Sequence, residues 1–152
     1  MNTKVATLIS ALALVFLSAV ARGDSKWIGQ GEEYSPDGAL LGKYSVEVVI
    51  ANTSEQTVHS TTTISAEGNA PRIIEQTLEM KGTSWSETST LGKGGGACYG
   101  GQMCEDYLVG SDDLAYATTI AMDSSNSRRI LTVVLKKGRA IKVLHENISK
   151  VD

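Results

Sequence analysis

The stretch from Gly42 to Gly68 constrains the fold of this chain more than any other. Tyr44, Val46, Val48 and Ile50 alternate with Lys43, Ser45 and Glu47, and only Val49 breaks the pattern. Beyond a short polar loop, Val58, Ser60, Thr62 and Ile64 alternate with His59, Thr61, Thr63 and Ser65. Period-two alternation on both sides of a loop specifies an antiparallel hairpin with one buried face. Pairing Ala51 with Thr57 sets Ile50 against Val58, Val48 against Ser60, Val46 against Thr62 and Tyr44 against Ile64.

The device recurs along the chain. A first strand runs over 26–35 and ends at the turn Pro36-Asp37-Gly38. Residues 72–81 carry Ile74, Gln76, Leu78 and Met80 on one face, and Gly82-Thr83 then has the glycine-first signature of a type II′ turn. That turn sets Met80 against Trp85, Leu78 against Glu87, Gln76 against Ser89 and Ile74 against Leu91. Gly92-Lys93-Gly94-Gly95-Gly96 reads as a mobile link, because glycine brings no side chain to pack in a strand. A short strand over 105–110 follows it, then strands over 115–123, 128–136 and 139–149. A two-residue turn at Lys137-Gly138 pairs Val134 with Ile141, Thr132 with Val143 and Arg129 with Glu146, with Leu131 meeting Leu144 on the other side. Both faces of this last hairpin are apolar, so its inward face is undecided.

Eight or nine strands with short turns and no helix predict an all-β, antiparallel up-and-down meander. Such a sheet buries its face and removes its edges by closing into a barrel, or else folds into a β-sandwich.

Trp27 at the head of the first strand, Gly29 and Gly31 after it, and the successive hairpins resemble the calycin superfamily, in particular small bacterial lipocalin-like barrels. Ser25 stands where the lipocalin Gly-x-Trp signature has its glycine. The resemblance implies an arginine packed over Trp27, for which Arg128, Arg129 and Arg139 are the candidates.

Ahead of these strands, Met1–Ala21 has the form of a secretory signal peptide. Lys4 supplies the positive end, Val5 to Ala21 is uncharged, and Ala19-Val20-Ala21 is a small-residue cleavage pattern. Residues 22–152 are then expected as one barrel domain, periplasmic or extracellular. Cys98 and Cys104, the only cysteines, are expected to form a disulfide in that compartment, with a contribution of about 2 kcal/mol from closing so short a loop. No later stretch is long and apolar enough for a membrane span. The formal net charge of -3 argues against general affinity for nucleic acid, although the basic side chains gather in residues 128–152.

Alternation carries an unusual set of residues inward. The faces Val58-Ser60-Thr62-Ile64, Ile74-Gln76-Leu78-Met80, Trp85-Glu87-Ser89-Leu91 and Tyr116-Thr118-Ile120-Met122 hold polar groups between apolar ends. Buried polar groups need partners, water or a ligand, and small barrels can hold one small molecule. Tyr44, Ser60, Thr62, Gln76, Trp85, Glu87, Ser89, Tyr116 and Thr118 are therefore the candidate site for an amphipathic or apolar ligand. Burial would raise the pKa of Glu87, unless it pairs with Lys142 or reaches water. No base or nucleophile partner for Glu87 is legible, so a non-catalytic binder without cofactor or metal is expected. His59 and His145 lie on separate strands without metal-ligand spacing. The rival is a secreted inhibitor or envelope factor that binds a protein partner through the segment from Gly92 to Cys104. The sequence leaves the oligomeric state open.

Overall fold

The computed structural model describes residues 24–52, 54 and 56–151, so the expected signal peptide, Met1–Ala21, lies outside the described residues. Ten strands occur in chain order: β1 Ser25–Tyr34, β2 Leu40–Asn52, β3 Thr57–Ser65, β4 Arg72–Lys81, β5 Ser84–Ser89, β6 Gly92–Tyr99, β7 Met103–Gly110, β8 Leu114–Ser124, β9 Ser127–Lys136 and β10 Arg139–Val151. Each pairs antiparallel with its neighbours in the chain, and β1 pairs with β10 to close the barrel. The meander and its closure are as expected, with ten strands rather than eight or nine.

The additional strand is the glycine run. Gly92–Gly96 is barrel wall, paired with β5 on one side and with β7 on the other. A sheet is held laterally by backbone hydrogen bonds, which glycine makes as well as any residue. Here the missing side chains also permit close backbone approach. A Cβ on Gly94 would come 1.9 Å from the Tyr107 carbonyl oxygen, and one on Gly96 would come 2.2 Å from that of Glu105. The segment from Gly92 to Cys104 is therefore a hairpin of the wall, closed by Gly100 and Gly101 with positive φ.

The first hairpin pairs Ile50 with Ser60, Val48 with Thr62 and Val46 with Ile64, two residues from the expected register. An even offset keeps every side chain on its face. The β4–β5 hairpin has the expected pairs Met80–Trp85, Leu78–Glu87 and Gln76–Ser89, and Gly82 sits at φ 63° in its turn.

The last hairpin differs by one residue. Lys137 and Gly138 both take positive φ, as a type I′ turn requires, so Arg139 pairs with Lys136. A bulge at Ile141 then advances the pairing, and Val134 meets Lys142, Thr132 meets Leu144 and Arg129 meets Asn147. Leu131 is opposite His145 rather than Leu144. An odd shift exchanges faces, and Lys142, Leu144, Glu146 and Ile148 are the residues that turn inward.

At one end of the barrel Arg128 covers Trp27, with its guanidinium carbon 4.1 Å from the ring centroid. This selects Arg128 from the three candidate arginines. Ser25, in the glycine's place, accepts a 3.4 Å hydrogen bond from the Trp27 indole N–H.

Candidate functional site

Nearly every candidate residue faces the interior and is buried. Tyr44, Ser60, Thr62, Gln76, Trp85, Glu87, Tyr116 and Thr118 are all at most 5% exposed. Ser89 is half-buried at the end of β5, where its hydroxyl accepts from the Leu91 backbone N–H at 3.1 Å.

The longest buried polar network starts on β3. The Ser60 hydroxyl donates to Gln76 Oε1 at 3.1 Å, and Gln76 Nε2 donates to Glu87 Oε1 at 2.7 Å. Gln76 is thus oriented from both ends: its oxygen is satisfied by Ser60, so its amide nitrogen faces the carboxyl. On β7, Asp106 Oδ1 accepts from the Trp85 indole N–H at 3.2 Å. The Glu87 and Asp106 carboxyls influence each other, and burial beside a second acid favours one shared proton over two charges. Burial raises both acids above the usual carboxylate range, and the charge of Glu87 raises Asp106 further.

This pairing spans a strand. β5 and β7 are separated by β6, yet Trp85 and Glu87 reach Asp106 because β6 presents Gly94 opposite Glu87 and Gly96 opposite Trp85 and Asp106. A Cβ on Gly96 would lie 2.3 Å from the Trp85 ring. The glycine run is the floor over which the network is built.

A second polar group forms around β1, β2 and β10. Tyr44 donates to Glu146 Oε1 at 2.8 Å, and Lys142 Nζ is 2.6 Å from Glu33 Oε1. Gly31 makes room for Tyr44, since a Cβ there would be 2.2 Å from its ring. Burial pushes the Glu146 carboxyl up to about 7 against the opposing hydrogen bond from Tyr44, and it raises the Tyr44 phenol strongly. Thr118 and Thr132 share a 3.0 Å hydrogen bond between β8 and β9.

Asp106, Glu33, Lys142, Glu146 and Thr132 were not among the expected site residues. Asp106 had a signal, because Cys104, Asp106 and Leu108 alternate with Glu105, Tyr107 and Val109. Lys142 pairs with Glu33 and not with Glu87. The Cys98–Cys104 disulfide is formed as expected, and it lies between directly opposed residues of β6 and β7. Both cysteines are buried on the inner face near Asp106. His59 is exposed, with Nδ1 2.8 Å from the Thr77 hydroxyl. Among the described residues, no group of three or more His, Cys, Asp or Glu could hold a metal ion.

Two solved structures share this architecture. An S-type phycobiliprotein lyase from Guillardia theta superposes with a TM-score of 0.63 at 8% identity, over 83% of this chain and 85% of the lyase. A DUF3598-family protein of unknown function from Nostoc punctiforme gives a TM-score of 0.70 at 15% identity, over 83% of this chain and 46% of the other. The chain thus spans less than half the length of the second protein. No family model and no curated protein matches the sequence.

The chain has a calycin-like barrel. Identities this low carry the fold alone. The expectation of a non-catalytic protein needs correction, because the same barrel is that of a lyase. The physical ground for that expectation also fails, since Glu87 has a partner acid in Asp106.

Proposed function

We propose that this protein is exported and binds a small amphipathic molecule in the interior of its barrel. The observation that carries the reading is the buried network Ser60–Gln76–Glu87–Asp106–Trp85. An interior built only for stability is filled by apolar side chains, because partly satisfied polar groups there cost about 1–3 kcal/mol each. Tyr44, Thr62, Ser89, Tyr116 and Thr118 complete the set that would line the ligand, with Val46, Ile74 and Leu108 as apolar wall. Export is supported by the leader sequence and by a disulfide of the kind that persists in oxidising compartments.

Native mass spectrometry of the protein purified from its source tests both parts. A mass excess that is lost on denaturation, on a chain beginning near residue 22, is the expected result. A chain that retains residues 1–21 overturns export, and ligand-free protein in every preparation overturns binding.

A second reading rests on the Glu87–Asp106 pair. Two buried carboxyls that share a proton can hand it to a bound molecule and take it back. Deuterium from heavy water should then enter a carbon position of the retained ligand, and Glu87→Gln should stop it.

A further inference from the structure

The interior is unbalanced in a particular direction. Five buried oxygens have no hydrogen-bond donor among the described residues: Glu33 Oε2, Thr62 Oγ1, Glu87 Oε2, Asp106 Oδ2 and Glu146 Oε2. Four of them are carboxyl oxygens, which when ionised can only accept. The matching surplus of donors is small. Lys142 Nζ has no hydrogen bond among the described residues but is ion-paired with Glu33, the Gln76 amide faces Glu87, and the Trp85 indole faces Asp106.

The surplus is most concentrated at the glycine floor. Glu87 and Asp106 are 3% and 4% exposed, and each keeps one oxygen satisfied by a protein donor while the other, Glu87 Oε2 and Asp106 Oδ2, has none among the described residues. Thr62 is a further buried polar group without a partner, able to donate as well as accept. It is fully buried, two residues along β3 from Ser60 on the inner face, and its hydroxyl has no partner among the described residues. The inward positions of β6 beside the pair are Gly94 and Gly96, and the Trp85 ring lies over Gly96.

We propose that the ligand is an organic cation, an apolar body carrying a protonated nitrogen, held between Glu87 Oε2 and Asp106 Oδ2. This deepens the binding reading above and rests on it. An ammonium group supplies N–H donors to two oxygens that otherwise share a single proton. Its entry displaces that proton to solvent, so the pair becomes two carboxylates around one positive charge. Buried charges are tolerated when they are paired and hydrogen-bonded in this way. A carboxylate ligand would instead bring another acceptor to a site already short of donors.

Calorimetric titration with decylamine, decanol and decanoate, matched in chain length, tests the assignment. Decylamine is expected to bind at least about tenfold more tightly than decanol at about pH 8, with decanoate weakest. Binding should release close to one proton, read from titrations in buffers of different ionisation enthalpy. Decylamine affinity should rise by up to about tenfold per pH unit while the pair still holds its proton, because an alkylammonium stays charged throughout the range. Glu87→Gln and Asp106→Asn should each remove most of the preference for the amine and leave decanol binding in place. Glu105→Gln, at an exposed position of β7, should change neither. Decanol or decanoate binding as tightly as decylamine overturns the cation assignment and leaves the binding reading standing. An amine affinity that is flat with pH and releases no proton also overturns the assignment, even if both variants fail to fold. No binding by any of the three probes overturns both readings.

Discussion

The Trp85 indole N–H reaches Asp106 across a strand that has glycine at the intervening inward position. Gly96 is opposite both residues, and the Trp85 ring lies where a side chain on Gly96 would stand. The absent side chain is therefore a structural requirement. Gly96→Ala would place a Cβ 2.2 Å from the Glu105 carbonyl oxygen and 2.3 Å from the Trp85 ring. The cost should be about 2–4 kcal/mol, as for overpacked sites that cannot relax. Gly42→Ala is the control, since nothing lies within 4 Å of its added Cβ. Equal denaturant midpoints for the two variants would remove the floor from this account.

Lys142 and Glu33 should behave as a unit. They are 2.6 Å apart, with side chains 11% and 4% exposed, so removing either strands the other. Lys142→Met should cost about 3–5 kcal/mol, and Glu33→Gln added to it should restore most of that loss. A double variant no more stable than Lys142→Met would show that the cost lies elsewhere.

Stability should fall between about pH 5 and about pH 8, the reverse of ordinary acid unfolding. Burial holds the folded Glu146 carboxyl at about 7, above its ordinary value of 4.5. The folded state then binds the proton more tightly than the unfolded state over that interval. Stability from this group is greatest below 4.5, declines as pH rises to about 7, and is level beyond it. The decline amounts to about 3 kcal/mol, and the Glu87–Asp106 pair adds to it in the same direction. Thermal melts across the range check this. A higher Tm at pH 8 than at pH 5, or an unchanged slope in Glu146→Gln, would contradict it.

Reducing the Cys98–Cys104 disulfide should loosen β6 and β7 first. The bridge closes a hairpin between directly opposed residues, so its effect on chain entropy is about 2 kcal/mol. Hydrogen exchange should quicken in 92–110 and stay slow in β1, β2, β9 and β10. Uniform acceleration around the barrel would mean that the bridge holds the whole closure.

What was legible in the sequence was whatever depends on alternation. Period two revealed the inward faces of β2, β3, β4, β5 and β8, and an error of two residues in the first hairpin did no harm. Glycine obscured β6, because a pattern of side chains cannot reveal a strand whose inward positions before Cys98 have none. Without β6, Cys104 and Asp106 had no neighbour to assign them an inward face, and Glu87 was left without its partner acid. The bulge at Ile141 was likewise invisible. One extra residue exchanges the faces of a strand, and β10 is apolar on both. Arg128 could not be chosen over Arg129, because its role depends on the distance to Trp27 after closure.

The seam of the barrel joins the two ends of the described chain, with Lys26 against Val151 and Tyr34 against Val143. Every other strand pair can form from local neighbours, one hairpin at a time. β1 has one free edge until β10 arrives, and that pairing must close a loop of nearly the whole chain. Until then the edges of β1 and β10 stay open to other chains, so assembly is most vulnerable to aggregation just before its last contact.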